Sequence, residues 1–217
     1  PVHIGEIQNK GLALNVDIFN DKGKPIKNSK GELVCKNPFP SMPLKFWNDK
    51  NDNKYKEAYF SRFADTWHHG DFAEIKETGG FVIHGRSDTT LNPGGVRLGT
   101  AEIYSEVEKF KEIKESIVVG QSWDNDVRIV LFIVMNAKFY LTEDLLKKIK
   151  IQIKKNASPR HVPSKVIVVE DIPRTKSGKI VELAVKNTIE GNNIKNKEAL
   201  ANPEVLEQFK NLKELSN

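Results

Sequence analysis

Cysteine is almost absent from the sequence, and long apolar runs are missing altogether. Cys35 is the single cysteine among 217 residues, so no internal disulfide can form. The longest apolar run, residues 129–135, is far shorter than the roughly 20 residues that a membrane-spanning helix needs. These absences predict a soluble, cytoplasmic protein with no membrane span. The chain opens on Pro1 without a signal sequence, which indicates a processed protein or a piece of a longer one.

Two kinds of catalytic signature are also missing. No G-x-S-x-G elbow is present, and Cys35 has no evident partner histidine, so a covalent acyl-enzyme is disfavoured. His68 and His69 are adjacent and would point to opposite sides of a strand. Since neither has a spaced ligand partner, we expect no metal site formed by the protein alone.

The hydrophobic content of 38% suits one or two globular units, each with its own core. Up to about Arg86 the pattern indicates strands joined by turns, including residues 12–19 and 31–35. From about Asp88 helices and strands alternate, which predicts a second, α/β unit with its own small sheet. We place the boundary at residues 87–90, and the fold class is α+β.

A hairpin is predicted at the end of the first unit. Residues 71–75 and 81–85 are strand-like and flank the turn "KETGG". If Ile75 faces Phe81, then Asp71 faces Gly85 and lies beside Arg86 at the open end. An exposed cross-strand ion pair would explain this pair equally well.

Three strands and several helices make up the predicted second unit. The strands fall at residues 116–120, 127–135 and 165–171. Thr100 is expected to cap the first helix, whose inner face carries Ile103, Val107 and Phe110.

A longer helix is expected to begin after Thr142 and to end at Pro159. Its apolar face carries Leu145, Leu146, Ile149 and Ile153, and its lysines point mostly outward: Lys147, Lys148, Lys150, Lys154 and Lys155. Another helix is predicted at residues 180–189, followed by a polar linker at 191–198. Asn202 as cap and Pro203 at the first helical position then predict a terminal helix, whose apolar stripe packs on the body.

Positive charge is concentrated in one stretch. Residues 138–180 carry a net charge of +7, although the whole chain carries only +5. The stretch therefore favours an anionic ligand, and a small phosphorylated molecule fits better than nucleic acid because residues 141–180 contain no aromatic side chain for base stacking. A solvated, lysine-rich helix face explains the charge equally well.

Residues 91–100, here called the glycine loop, read "LNPGGVRLGT" and are expected to open a helix. Backbone amides at such a position can meet an anion or a narrow ligand chain. The loop matches neither G-x-G-x-x-G nor G-x-x-x-x-G-K-[ST], so an ordinary capped turn is the more probable reading. Arg97 would supply a cation to phosphate oxygens close to those amides.

Residues 172–180, here called the Lys179 loop, read "IPRTKSGKI" and follow a strand directly. The proline fixes the entry, the glycine lets the backbone pass close to a ligand, and Lys179 comes immediately after that glycine. The pattern is typical of a basic surface turn, and it also suits a lysine that is presented to a separate site.

Three motifs occur in order along the chain: "HGD" at residues 69–71, "GRSDTTLNPGGVRLGTAEI" at 85–103 and "PRTKSGK" at 173–179. In this order they resemble the last signature motifs of the acyl-adenylate-forming superfamily, which comprises acyl-CoA synthetases, peptide-synthetase adenylation domains and luciferases. Relatives usually have "TGD" in place of "HGD". The stretches "FWND", "KYKEAYFSRF", "SPRHVPS" and "NPEVLEQF" resemble most closely the acyl-CoA synthetases that act on acetoacetate.

The resemblance implies a domain arrangement. Residues 1–87 would form a β-barrel-like subdomain of a large, incomplete N-terminal domain, 88–190 a mobile α/β domain, and 191–217 a linker and terminal helix. The family's phosphate loop, adenine-contacting aromatic motif and acyl pocket would lie upstream of Pro1. The chain alone is therefore expected to carry half an active site and to be inactive.

The resemblance also implies a two-step reaction. A carboxylate, acetoacetate or a similar short acid, attacks the α-phosphate of ATP to give an acyl-adenylate and pyrophosphate. The small domain then rotates, and coenzyme A displaces AMP to give a thioester. ATP, Mg²⁺ and coenzyme A are the implied partners, and no nucleic acid is expected. A non-catalytic nucleotide- or CoA-binding module of the same superfamily is the alternative.

Roles are implied residue by residue for the nucleotide site. Lys179 matches the lysine that bridges the substrate carboxylate and ATP during adenylation. Asp71 matches the carboxylate that accepts hydrogen bonds from the ribose hydroxyls, and Arg86 matches an arginine that also contacts the ribose. Asp88 matches the hinge position, where backbone torsions change as the domain rotates.

Further residues match positions used in the thioester-forming orientation. Gly95 would lie beside the pantetheine channel and Arg97 near the phosphates. Lys154 and Lys155 fall where a relative would offer a cation to the coenzyme A nucleotide, although a basic helix face is the simpler explanation of both lysines.

Overall fold

The computed structural model describes residues 1–194 and 197–216. The chain divides into two compact units, residues 1–88 and residues 89–217. Both helices and sheets are present, so the predicted α+β class is confirmed. Across the described residues, every helix is too short or too polar to cross a lipid bilayer.

The first unit contains a sheet in which each strand pairs with the next along the chain. Its strands are β1 (Val16–Phe19), β2 (Gly31–Cys35), β3 (Trp67–Ile75) and β4 (Phe81–Arg86), and all neighbours are antiparallel. Within the described chain β1 and β4 are the outer strands and do not pair with each other. The predicted barrel is therefore wrong, because four strands are too few to close the roughly eight-stranded circle of a small barrel.

A helix interrupts the strands of the first unit, where only strands and turns were predicted. This helix, α1 (Asn53–Phe60), buries none of its residues fully. Its aromatic side chains pack instead in a partly exposed cluster, in which Tyr59 stacks on Trp67 of β3 with ring centroids 3.7 Å apart. The apolar spacing of α1 is carried by large aromatic rings among lysines, and this weakens the periodic signal that identifies helices.

The second unit is built on a sheet that is buried on both faces. Strands β5 (Ile113–Trp123) and β6 (Asp126–Met135) are antiparallel, and β7 (Lys165–Val168) pairs with β6 in parallel. Alternate residues of β6 point to opposite faces: Val130 and Phe132 enter one core cluster, Ile129 and Leu131 the other. Burial on both faces explains why residues 129–135 form an unbroken apolar run.

Helices cover the two faces of this sheet. On one face lie α2 (Ala101–Val107) and α3 (Glu143–Asn156), and on the other lies α4 (Glu182–Ile189). The Thr142 hydroxyl accepts a hydrogen bond from the Leu145 amide at 3.2 Å, which confirms the predicted cap of α3. Thr100 makes no side-chain cap because its own backbone is already helical. Residue Phe110 lies beyond the end of α2, and β7 ends three residues earlier than predicted.

The end of the chain is helical and begins at Pro203 as predicted, but it has the 3-10 form, at Pro203–Phe209 and Lys213–Leu215. Leu206 and Phe209 are nevertheless buried in the core, as the apolar stripe predicted. Because side chains three residues apart eclipse in a 3-10 helix, this winding places both on one side. The predicted linker at residues 191–198 lies partly outside the described residues.

Candidate functional site

Asp71 and Arg86 are directly opposite each other at the open end of the β3–β4 hairpin. Ile75 pairs with Phe81 as predicted, but Asp71 pairs with Arg86 and not with Gly85. The difference arises from a β-bulge after Phe72, which adds one residue to β4 and shifts the register by one.

The arginine of this pair lies over a glycine. Arg86 Nη1 is 3.5 Å from Asp71 Oδ1, and Arg86 Nε is 3.5 Å from Asp88 Oδ1. A Cβ on Gly70 would lie 2.8 Å from Arg86 Nη2, and Gly70 has a φ of +84°. A side chain at this position would therefore displace the guanidinium. His69 Nε2 lies 3.5 Å from the other Asp71 oxygen.

These contacts leave acceptor capacity on Asp71. All three distances to the carboxylates of Asp71 and Asp88 are at the long limit for hydrogen bonding. A carboxylate accepts up to about four hydrogen bonds, so Asp71 can still receive two hydroxyl groups of a ligand. The arrangement suits recognition of a vicinal diol beside a cation.

Glu32 is a buried carboxylate that no sequence pattern distinguishes. Its side chain is fully buried on β2, with His68 Nε2 at 2.8 Å and Arg62 Nη1 at 3.1 Å. The Ser87 hydroxyl also donates to it, one residue before the predicted hinge Asp88. No local pattern distinguishes Glu32 from an outward-facing strand residue, because its partners lie 30 or more residues away.

The glycine loop is a closed turn with one side chain bound at its tip. Leu91 and Leu98 exchange backbone hydrogen bonds of 3.0 and 2.8 Å, and both side chains are buried. The Gly94 amide donates to both oxygens of Asp126, at 2.9 and 3.0 Å. The loop leads directly into a helix, as predicted, because α2 begins at Ala101; inside the loop, a 3-10 turn at Pro93–Gly95 is followed by an extended Val96. An internal carboxylate therefore engages one of the amides expected to meet an anion.

Two predicted site residues lie on this loop. Gly95 has a φ of +75° and open space where a Cβ would stand. The half-buried Arg97 has Nη2 3.5 Å from the Thr90 hydroxyl. Both residues are thus on the outer part of a loop whose base is fixed in the core.

The Lys179 loop is also a closed turn, and its lysine is exposed. The Thr175 amide donates to the Lys179 carbonyl at 2.8 Å, and the Lys179 amide donates to the Thr175 hydroxyl at 3.0 Å. Gly178 has a φ of +84°. Among the residues that the structure describes, none forms an ion pair with the Lys179 ammonium. The loop therefore fixes the backbone of Lys179 and leaves its charge available.

Lys154 and Lys155 lie in the last turn of α3 and are exposed. Cations are favoured at this end by the helix dipole, which is sufficient to explain their position. They lie on a different element from either loop.

A buried tyrosine joins the two helices that follow the loops. The Tyr104 hydroxyl on α2 donates to Glu182 Oε1 on α4 at 2.6 Å and accepts from the Val118 amide at 3.1 Å. Burial, followed by the charge of Glu182, raises the pKa of Tyr104 well above its usual value. This link was not predicted, and the tyrosine–glutamate spacing gives no sequence signal for it.

No group of three or more His, Cys, Asp or Glu side chains suited to a metal ion occurs in the described part of the chain. Mg²⁺ in nucleotide enzymes is commonly held by one or two carboxylates together with phosphate oxygens. The described residues therefore do not form a magnesium site by themselves.

Comparison with known proteins defines the class first. Residues 102–179 match the AMP-binding enzyme C-terminal domain, and this stretch contains α2 except for Ala101, the whole sheet and Lys179. Over its full length, the chain is similar to acetoacetyl-CoA synthetases. It is 59% identical to the acetoacetyl-coenzyme A synthetase of Rhizobium meliloti and 47% identical to the acetoacetyl-CoA synthetase of Gallus gallus. In each case the match covers 100% of this chain and 33% of the relative.

A solved structure shows the same similarity. The acetoacetyl-CoA synthetase of Streptomyces lividans superimposes with a TM-score of 0.92 and 40% sequence identity, over 100% of this chain and 33% of that one. The resemblance to the acyl-adenylate-forming superfamily is thereby confirmed. The chain therefore contains a stretch that matches the C-terminal domain of AMP-binding enzymes, and over its full length it is similar to part of the acetoacetyl-CoA synthetases, spanning a third of their length.

Proposed function

We propose that the chain is the C-terminal part of an ATP-dependent acid:CoA ligase that converts acetoacetate, ATP and coenzyme A to acetoacetyl-CoA, AMP and pyrophosphate. The observation that carries the proposal is the exposed ammonium of Lys179 on a loop whose backbone is fixed by its own hydrogen bonds. The similarity to acetoacetyl-CoA synthetases supports the choice of acid. A cytoplasmic location is part of the same proposal.

Lys179 would act in the first step. When a carboxylate attacks the α-phosphate of ATP, negative charge accumulates on the phosphate oxygens, and a fixed cation in a closed site lowers that barrier. Asp71 would accept the ribose hydroxyls and Arg86 would contact the same sugar. Magnesium would enter with the nucleotide.

Other residues would act in the second step. Gly95, which carries no side chain, would let the pantetheine arm of coenzyme A pass, and Arg97 would stand near the phosphates. Lys154 and Lys155 would attract the nucleotide end of coenzyme A. Asp88 would be the hinge between a large N-terminal domain, of which residues 1–87 are a part, and a mobile domain at 88–190. Residues 191–217 would follow as a linker and a terminal helix.

The test compares two lysines of the same loop in the full-length enzyme. Lys179→Ala should lower adenylate formation, measured as acetoacetate-dependent exchange of pyrophosphate into ATP, by about a hundredfold to a thousandfold. Formation of acetoacetyl-CoA from preformed acetoacetyl-adenylate should stay within about twofold. Lys176→Ala removes a neighbouring exposed lysine and should leave both steps nearly unchanged. Equal loss of the two half-reactions in Lys179→Ala would contradict the proposed role.

The chain by itself gives a second test. Incubated with ATP, acetoacetate and coenzyme A, residues 1–217 should release no AMP, because the proposed site is incomplete without an upstream domain. Turnover by the isolated chain would show that the division of the active site is wrong. A non-catalytic module would be favoured if the isolated chain binds coenzyme A and substitutions of its proposed site residues leave catalysis by the full-length protein unchanged.

A further inference from the structure

The Lys179 loop has few stabilising contacts of its own. It is a short hairpin in which Arg174 bridges Ile180 and the Gly178 amide donates to the Thr175 carbonyl at 2.8 Å. An isolated two-stranded hairpin is only marginally stable in water. Arg174 adds one support, because its guanidinium donates to the Gly178 carbonyl at 2.9 Å and lies 2.7 Å from Glu115 on β5.

The end of the chain supplies the larger support. Residues 197–216, here called the terminal segment, run antiparallel to the loop at one point. Leu200 bridges Thr175, the Ala201 amide donates to the Arg174 carbonyl at 2.8 Å, and the Lys176 amide donates to the Ala199 carbonyl at 3.2 Å. The terminal segment therefore acts as a third extended piece beside the hairpin.

One side chain of the terminal segment closes the entry to the loop. Asn202 Oδ1 accepts from the Arg174 amide at 2.8 Å. Its Nδ2 donates to the Ile172 carbonyl at 3.0 Å and to Asp171 Oδ2 at 3.1 Å. Asn202 does not cap the following 3-10 turn, although Pro203 makes it a natural cap by sequence. The asparagine thus satisfies the loop backbone and not its own helix.

The terminal segment is itself rigidly attached to the core. Leu206 and Phe209 are buried, and the Phe209 ring meets Phe132 of β6 edge to face with centroids 4.9 Å apart. Farther along, the Leu215 carbonyl accepts from the Arg128 guanidinium at 2.6 Å. A segment anchored in this way can hold the loop in a fixed position relative to the sheet.

This support lies outside the domain that the family model matches. The match ends at Lys179, so residues 199–202 and all of their contacts to the loop come after it. The family model therefore does not include the contacts that the terminal segment makes to the Lys179 loop.

We propose that the terminal segment, through Asn202, is a positioning element for Lys179 in the adenylate-forming step. Asn202 touches neither substrate nor nucleotide in this role; it fixes the backbone from which Lys179 extends. The inference rests on the proposed function of Lys179. The side-chain hydrogen bonds of Asn202 all go to residues 171–174, so the thioester-forming step should not depend on Asn202.

The test uses the full-length enzyme and two alanine substitutions in the terminal segment, one of Asn202 and one of Gln208. Asn202→Ala should lower adenylate formation about tenfold, since a small misplacement of a reacting group is costly, and should leave thioester formation within about twofold. Gln208→Ala removes hydrogen bonds from the same segment to the Glu170 amide and the Asp171 carbonyl, before the loop begins. It should change adenylate formation by less than about threefold. Equal effects of the two variants on both steps would show a merely structural role and overturn the proposal.

A double variant separates this inference from the proposed function. If Asn202 acts through Lys179, adding Asn202→Ala to Lys179→Ala should cause no further loss of adenylate formation. A full loss in Lys179→Ala with normal adenylation in Asn202→Ala would overturn only the inference. Normal adenylation in Lys179→Ala would overturn the proposed function itself.

Hydrogen exchange gives a readout that does not depend on activity. The Thr175 and Lys179 amides are bonded within the loop and should exchange about tenfold faster in Asn202→Ala, while amides of β6 should not change. Unchanged protection of the loop amides in a folded Asn202→Ala enzyme would also overturn the proposal.

Discussion

The glycine loop and the Lys179 loop are both closed turns of the second unit, but they are held in different ways. The base of the glycine loop is fixed by two buried leucines, and its tip is bound by the single carboxylate of Asp126. The Lys179 loop begins at the buried Ile172, but residues 176–180 are exposed, and the loop is supported by Arg174 and by the terminal segment. The glycine loop is thus held by buried leucines and by Asp126, and the Lys179 loop by hydrogen bonds from Arg174 and from the terminal segment.

If the two loops act in the two proposed steps, the difference shows how one domain would serve both. Each loop depends on contacts that the other does not share, so each can be weakened separately. The helices that follow the two loops are linked by the hydrogen bond from Tyr104 on α2 to Glu182 on α4. Substitutions at the separate supports should therefore affect one half-reaction, whereas loss of the shared link should affect both.

The largest separate effect is expected at Asp126. Asp126→Ala removes both acceptors of the Gly94 amide and should lower thioester formation about tenfold to a hundredfold, with adenylation nearly unchanged, because the glycine loop loses its fixed position. The measurement is acetoacetyl-CoA formation from preformed adenylate. Asp126→Asn keeps one acceptor oxygen and should give an intermediate loss. Asp124→Asn, in the same turn, controls for the change of charge.

Equal losses in adenylation and thioester formation for Asp126→Ala would break the comparison. They would mean that the two loops are not independently supported.

The next effect is expected at the shared link. Tyr104→Phe leaves the Val118 amide and Glu182 without this partner and should lower the free energy of unfolding by about 1–3 kcal/mol. Both half-reactions should fall by the same factor, because the substitution acts on α2 and α4 together. Urea denaturation and the two kinetic assays measure this.

The same tyrosine predicts a dependence on pH. Because the folded state raises the pKa of Tyr104, the stability that it contributes is complete below about pH 10 and is lost as the pH rises through the raised value. Unfolding measured from pH 8 to 11.5 should show a smaller alkaline decline in Tyr104→Phe than in the wild type. If stability falls equally in both proteins, groups other than Tyr104 cause the alkaline loss of stability.

Two glycines provide a matched pair with smaller effects. Gly94 and Gly178 both have positive φ and open space for a Cβ, so alanine at either position introduces only backbone strain. Each substitution should destabilise the protein by about 1–2 kcal/mol. Gly94→Ala should slow thioester formation and Gly178→Ala should slow adenylation. A reversed pattern in the two assays would contradict the assignment of the loops.

The smallest effect is expected for the α3 lysines. Lys154→Ala and Lys155→Ala should each raise the KM for coenzyme A about twofold at low salt, and the effect should vanish at high salt because both side chains are exposed. Lys147→Ala, on the same helix, is the control. An equal change in Lys147→Ala would mean that the lysines act as a general basic surface.

The sequence predicted most of the local structure correctly. The apolar run of residues 129–135 identified a strand buried on both faces, and Thr142 marked the start of α3. The hairpin pattern also predicted that Asp71 lies beside Arg86, although the bulge that shifts their register gave no signal. Helix α1 was missed because its aromatic residues among lysines weaken the periodic signal, and the 3-10 form of the terminal segment was missed because an apolar stripe does not by itself distinguish a 3-10 helix from an α-helix.

What the sequence determined by itself was the order of its motifs, the periodicity of its core and the position of Lys179 after a glycine. Only the tertiary structure showed what holds these groups: Asp126 meets Gly94 across 32 residues, Asn202 meets Arg174 across 28, and Ser87 meets Glu32 across 55. The reason is physical. Periodicity and turn chemistry act over a few residues, whereas a hydrogen bond between distant segments exists only once the sheet has brought their backbones together.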